Sequence, residues 1–290
     1  MSDFLSLDQI TEMMTEFRAY QGRTIVIKIG GNSIAEDGFF LSKIARQVLF
    51  LNTNGVRMVL VHGGGPQIDN ALRDKNIVPV KGKDGRRITS PKAMKIVAHV
   101  MKEVNQLIIA ALLKAGCPKN KILAASAQKR PLVQAESLDP ENAKSNRSGR
   151  PTKANAALIE RALNEGKIVV LHSMGVSADG MTTYNTNGDD YAMVVARDIK
   201  AKRLILVTNV AGVLDHNHEC IPVIDPIAAK QLILDGVITG GMVPKVESAL
   251  LVIKQGVSGV VIIDGFHPWS ILGEVLTHQG LGTLFRSRLG

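Results

Sequence analysis

The stretch that most restricts the fold is Ile25-Val26-Ile27-Lys28-Ile29-Gly30-Gly31-Asn32-Ser33. A β-branched run without polar alternation reads as a strand buried on both faces, and such strands belong to parallel sheets covered by helices. The run carries one lysine to its C-terminal end. It then turns at two glycines, where backbone amides can point at a ligand. Local features alone fit a plain turn or an anion site, so the neighbouring stretches have to decide.

The same pattern recurs. Residues 57–61 are a second buried strand, followed by His62-Gly63-Gly64-Gly65-Pro66 and a helix over 67–75. Glycines let backbone approach a ligand closely, a helix N-terminus favours negative charge, and proline fits the first helical turn. Neither glycine run matches the Walker spacing, and Ile68 stands where the dinucleotide motif needs its last glycine. Further strands are expected at 122–125, 132–135, 167–171, 203–208, 259–263 and 280–285. Helices are expected at 39–51, 91–115, 154–164, 191–199, 226–236 and 246–254. Residues 77–90 read as a polar hairpin turning at Asp84-Gly85, and Asn146-Arg147-Ser148-Gly149-Arg150-Pro151 reads as a loop, either solvated or touching an anion. Thr239-Gly240-Gly241-Met242-Val243-Pro244-Lys245 places glycines and a lysine at a third helix start. This alternation predicts an α/β fold, a three-layer αβα sandwich around a mostly parallel open sheet. The glycine turns should lie along one edge, beyond the strands' carboxyl ends.

Bulk properties narrow the function. The 290 residues suit one domain with two lobes, and no repeat or linker divides them. With 45% apolar and 21% charged residues the composition is that of a soluble globular chain. No run reaches the ~18 consecutive apolar residues of a membrane span, and residues 1–4 lack a signal-peptide pattern. Cys117 and Cys220 form no framework, so a cytoplasmic location is expected. The net charge of +9 comes with only 4% aromatics, which favours small polyanions over nucleic acid. Residues 5–20 read as an amphipathic helix, packed either on its own domain or on a neighbouring subunit. Asn185, Asn187, Asp189 and Asp190 precede a helix, where they cap it or orient a ligand.

Five motifs in order resemble the amino acid kinase family, whose known members share a carbamate kinase-like fold. They are Val26-Ile27-Lys28-Ile29-Gly30-Gly31, Val61-His62-Gly63-Gly64-Gly65-Pro66, Tyr184-Asn185-Thr186-Asn187-Gly188-Asp189, Leu206-Val207-Thr208-Asn209-Val210-Ala211-Gly212-Val213 and Gly240-Gly241-Met242-Val243-Pro244-Lys245-Val246. The resemblance implies ATP- and Mg2+-dependent phosphorylation of a carboxylate to an acyl phosphate, with no protein ligand to the metal. In the branch it most resembles, the acceptor is the side-chain carboxylate of N-acetyl-L-glutamate, on the route to arginine. It further implies that Lys28 and Lys245 stabilise the transferring phosphoryl and that Asp189 holds both lysines. Gly63, Gly64, Gly65, Arg87, Asn185 and Asn187 would meet the acylamino acid. Gly30, Gly31, Thr208, Asn209, Val210, Gly212, Leu214, Gly241 and Met242 would meet the nucleotide. The acceptor lobe would span residues 23–190 and the nucleotide lobe 191–290.

The departures from the family lie in the acceptor lobe. Asp84-Gly85-Arg86-Arg87-Ile88-Thr89 stands for an Asn-Gly-Leu-Arg-Val-Thr pattern, segment 124–130 lacks the usual glycine turn, and segment 147–152 is basic. These changes leave room for a different carboxylate, such as an acylated aminoadipate or a more anionic acceptor, or for a regulatory amino-acid-binding homologue. The resemblance also gives residues 1–22 a role in a homo-oligomer, a dimer or a hexamer. An L-arginine inhibitor would sit between that helix and residues 267–282.

Overall fold

The computed structural model describes residues 6–36, 38–82, 85–124, 132–278 and 280–287. Helix α1 (Leu7–Tyr20) opens with a capping box, in which Ser6 and Gln9 each satisfy the other's backbone amide. Strand β1 (Thr24–Ile29) follows, then α2 (Gly31–Glu36), α3 (Gly38–Thr53), β2 (Arg57–His62) and α4 (Gly65–Asp74). A short hairpin, β3 (Val80–Lys81) and β4 (Arg87–Ile88), leads into the long helix α5 (Pro91–Lys114). Next come β5 (Ile122–Ala124), β6 (Val133–Ser137), β7 (Ser148–Ala154), α6 (Ala156–Asn164), β8 (Ile168–His172), β9 (Met174–Val176), β10 (Thr183–Thr186) and α7 (Gly188–Asp198). The chain ends through β11 (Arg203–Thr208), β12 (Val223–Ile224), α8 (Pro226–Leu234), α9 (Met242–Lys254), β13 (Val260–Asp264), α10 (Ser270–Leu276) and β14 (Gly282–Phe285).

Eight strands form one sheet in the order β12-β14-β13-β11-β1-β2-β8-β5, and only the β13–β14 pair is antiparallel. The α/β, mostly parallel architecture expected from the buried runs is therefore the one observed. Side-chain alternation splits each strand between two cores. Ile25, Ile27 and Ile29 of β1 join Met58, Leu60, Ile205 and Val207 beneath α3 and α5. Val26 joins Val59, Val61, Leu204 and Leu206 on the opposite face, beneath α7 and α9. Helix α5 has the length and hydropathy to cross a bilayer by composition alone. Its stripe Val97, Val100, Val104, Ile108 and Leu112 is buried in the first core.

Three details differ from the sequence expectations. The turn after β1 is immediately a helix, since α2 starts at Gly31. Residues 148–151, expected as loop, belong to β7, which joins β6, β9 and β10 in a small closed barrel. The glycine and proline there have other roles. A Cβ on Gly149 would sit 2.4 Å from that of Tyr184, and Pro151 lies at the register shift between Gln134 and Ala135. Helices α7 and α9 begin a few residues earlier than periodicity indicates: Gly188-Asp189-Asp190 already belongs to α7, and Met242-Val243-Pro244-Lys245 forms the first turn of α9 after Gly241. Asp84 of the hairpin turn and segment 125–130 lie outside the described residues.

Helix α1 packs along α10, with Met13 and Phe17 against the first core and Tyr20 buried in it. The Tyr20 hydroxyl accepts from Arg203 Nη2 at 2.8 Å. Leu7, Ile10 and Met14 stay exposed, at 78%, 45% and 51%.

Candidate active site

Lys28 owes its position to strand parity. It shares the face of Val26, so its side chain rises beneath α7 and α9. Both helices present their N-terminal turns to the carboxyl end of the sheet. Asn187 caps α7, its Oδ1 accepting from the amides of Asp189 at 2.8 Å and Asp190 at 3.1 Å. The capped turn holds Asp189 between two cations: Oδ1 lies 2.8 Å from Lys28 Nζ and Oδ2 2.5 Å from Lys245 Nζ. Side-chain exposure is 13% for Lys28, 16% for Asp189 and 29% for Lys245, so Lys245 is the more open of the two lysines. Burial on its own would raise the Asp189 carboxyl. The charges of Lys28 and then Lys245 outweigh it and hold the group well below the usual carboxylate range. Gly188 makes room for this arrangement, since a Cβ there would stand 3.3 Å from Lys28 Cε.

The two glycine turns touch each other. A Cβ on Gly31 would lie 2.8 Å from Gly65 N and 2.9 Å from Pro66 Cδ, so only glycine permits this approach. Gln67 reinforces the contact by donating to Gly31 O at 2.9 Å. Beneath the second turn, His62 is fully buried at the end of β2. Burial holds its imidazole down at about 3, so the ring is neutral at ordinary pH.

The β3–β4 hairpin closes the opposite side. Arg87 forms a short ion pair with Asp69 on α4 and donates to Gly65 O at 3.2 Å. Arg86 lies 2.7 Å from Asp190 Oδ2. Asn185 on β10 donates to Thr89 Oγ1 at 3.0 Å, joining the barrel to the end of the hairpin.

These elements enclose a cavity of about 390 Å3. Lys28, Asp189 and Lys245 line it together with Gly30, Gly31, Gly63, Gly64 and Gly65. Arg87, Asn185, Asn187, Thr208 and Asn209 complete the expected set on its wall. Val210, Gly212, Leu214, Gly241 and Met242 are not among its lining residues. Asn187 lines the cavity and spends its side-chain oxygen on the cap of α7. Asp69, Asp190 and Thr89 position the site's cations and Asn185, yet no motif pointed to them as partners. The available signal was helical spacing: Asp69 falls one turn after Gly65, and Asp190 follows Asp189 in a capped first turn.

A cavity with two ammonium groups braced by one carboxylate, beside stacked glycine turns, can neutralise a transferring phosphoryl group and orient it. Residues 23–264 match the family described as "Amino acid kinase family". A protein of Afipia carboxidovorans named acetylglutamate kinase is 37% identical over 296 residues, covering 98% of this chain and 99% of that protein. The N-acetylglutamate synthase of Neisseria gonorrhoeae, solved with coenzyme A and N-acetyl-glutamate, superposes with a TM-score of 0.85 at 22% identity. The match covers 98% of this chain, which spans 64% of the synthase chain. Carbamate kinase from Giardia lamblia bound to AMP-PNP aligns with a TM-score of 0.67 at 16% identity, over 92% of this chain and 99% of that one. These two structures share its fold.

Proposed function

The chain belongs to the amino acid kinase family, and from that premise we propose that it transfers the γ-phosphoryl group of ATP to the side-chain carboxylate of N-acetyl-L-glutamate, on the route to arginine. The observation that carries the reading is Asp189 bridging Lys28 and Lys245 at the floor of the cavity. Lys28 approaches the phosphoryl oxygens from strand β1 and Lys245 from helix α9, and the carboxylate keeps them apart and in register. Phosphoryl transfer asks for little else than positioning and charge neutralisation. The acceptor takes the side of residues 23–190, where Arg87 offers a guanidinium fork and Asn185 an amide. The nucleotide takes the side of residues 191–290, from Thr208 and Asn209 outward over Val210, Gly212, Leu214, Gly241 and Met242. Both Asp189 oxygens are engaged by lysines, and no cluster of three carboxylate, histidine or cysteine groups occurs among the described residues. A Mg2+ entering with the nucleotide would accordingly take its oxygens from phosphates and water.

Arg86 and Arg87 are each paired with a carboxylate, Asp190 and Asp69, so the ion pairs alone do not fix the charge of the acceptor. The 37% identity to a protein named acetylglutamate kinase, over 98% of this chain, supports N-acetylglutamate. The exposed Leu7, Ile10 and Met14 of α1 support assembly through that helix, and the packing of α1 on α10 supports an arginine-responsive junction there. ADP release with N-acetylglutamate, N-acetylaminoadipate, aspartate, glutamate and carbamate tests the reading. N-acetylglutamate should give the highest kcat/KM, and Lys245→Ala should lower turnover by orders of magnitude with an unchanged circular dichroism spectrum. Preference for another acceptor would overturn the substrate assignment. Silence with all five would overturn the enzymatic one.

A further inference from the structure

His62 takes no direct part in phosphoryl transfer, because it pairs with neither lysine and is not itself among the residues lining the cavity. Its surroundings nevertheless determine its protonation atom by atom. Nδ1 lies 3.0 Å from Gly63 O, and a carbonyl oxygen only accepts, so Nδ1 carries the proton. Nε2 is then a bare lone pair, and Asn105 Nδ2, 3.1 Å away on α5, donates to it. Both side chains are fully buried. The backbone on either side is also tied down: Gly63 N donates to Ile29 O at 3.3 Å, and Ser173 N donates to His62 O at 3.1 Å.

The consequence lies one peptide further on. The Gly63–Gly64 bond is trans and planar, so its C=O and N–H point in opposite directions. With the Gly63 oxygen drawn to the buried imidazole, the Gly64 amide is turned away from it, toward the cavity that Gly63 and Gly64 line. A peptide between two glycines has no Cβ on either side to resist rotation of its plane. Rotated by half a turn, it would aim a carbonyl oxygen at the phosphates in place of an amide. Met101, one helical turn before Asn105, fills the space against Gly64, 3.0 Å from where its Cβ would be.

We propose that His62 is a positioning residue that locks the Gly63–Gly64 peptide with its carbonyl inward, presenting the Gly64 amide to the bound substrate. The inference rests on the reading of the glycine turn as part of a phosphoryl-transfer site. It asks for a neutral imidazole protonated on Nδ1 and for the Asn105 amide as the group that sets this tautomer.

Two substitutions separate the contacts. In His62→Asn the amide nitrogen takes the place of Nδ1 and keeps a donor for Gly63 O. In His62→Gln it takes the place of Nε2 and leaves that oxygen without one. We expect kcat of the glutamine variant to lie roughly tenfold below that of the asparagine variant, the scale of one lost hydrogen bond, while their melting temperatures stay close. In the full-length wild-type protein, nitrogen-detected NMR of the ring should show the Nδ1–H tautomer and no titration between about pH 5 and 8. Equal kcat in the two variants, an Nε2–H tautomer, or titration near the ordinary histidine value would overturn the proposal. The ring measurement needs no turnover, so it decides even if a variant fails to fold. An inactive wild-type enzyme would instead sink the kinase reading.

Discussion

Replacing Asp189 by asparagine keeps the shape of the site and removes the anion between Lys28 and Lys245. The wild-type carboxylate makes two charge-assisted contacts, 2.8 Å to Lys28 and 2.5 Å to Lys245. Such bonds contribute about 1.5–3 kcal/mol each, and if that stabilisation is realised in the transition state, their joint loss lowers kcat by roughly 10²–10⁴. The carboxamide also leaves the two ammonium groups facing each other, so both lysines move outward, Lys245 first because it is the more exposed. The assay is single-turnover phosphoryl transfer from ATP, with nucleotide affinity measured separately by calorimetry. Affinity should change much less than kcat, since the glycine turns remain. Acid stability gives a second readout. A carboxyl held below its ordinary value in the folded protein stabilises the fold above the unfolded value of about 3.9. That contribution disappears as pH falls through the folded value. The melting temperature of Asp189→Asn should therefore fall less steeply than that of the wild type below about pH 4. A variant whose kcat stays within about threefold of wild type, where an intact positioning role requires a far larger loss, would refute the reasoning.

Other expectations follow from the same geometry. Arg87→Lys should raise the acceptor KM by roughly tenfold or more, because a point charge cannot reproduce the fork shared with Asp69 and Gly65 O, whereas Arg86→Leu should raise it only a few-fold; initial-rate kinetics with varied acceptor distinguish them. Gly31→Ala should destabilise the fold by about 1–3 kcal/mol in urea unfolding, since its methyl would meet backbone of the second glycine turn at 2.8 Å. Glutamates in place of Leu7, Ile10 and Met14 should reduce the assembled mass in light scattering while each alters stability by no more than about 0.5 kcal/mol; an unchanged mass would remove α1 from the assembly.

Much of this was legible from residue order. Buried β-branched runs marked the parallel strands, and glycines after them marked the edge where the cavity lies. The lysines and Asp189 converge as their motifs indicated. Three things were hidden. Strand β7 carries glycine and proline for packing and register, which composition cannot distinguish from a loop. The partners of Arg86 and Arg87 lie on helices α7 and α4; helical spacing sets Asp190 and Asp69 near the site, but which arginine each one meets is a long-range pairing that residue order does not carry. His62 looked like one letter of a glycine motif, and only its burial against Asn105 gives it a separate task.

Lys28 faces α7 because it stands three positions after Ile25, an odd step that puts the two side chains on opposite faces of the sheet. With the start of the strand held in register, a single-residue insertion or deletion between Thr24 and Lys28 would turn the lysine into the opposite core, among Ile205 and Val207, and leave Asp189 facing an aliphatic side chain. What the strand has to keep is a count: the two-residue step from Val26 to Lys28 sets which core the lysine faces, whichever apolar residue stands between them.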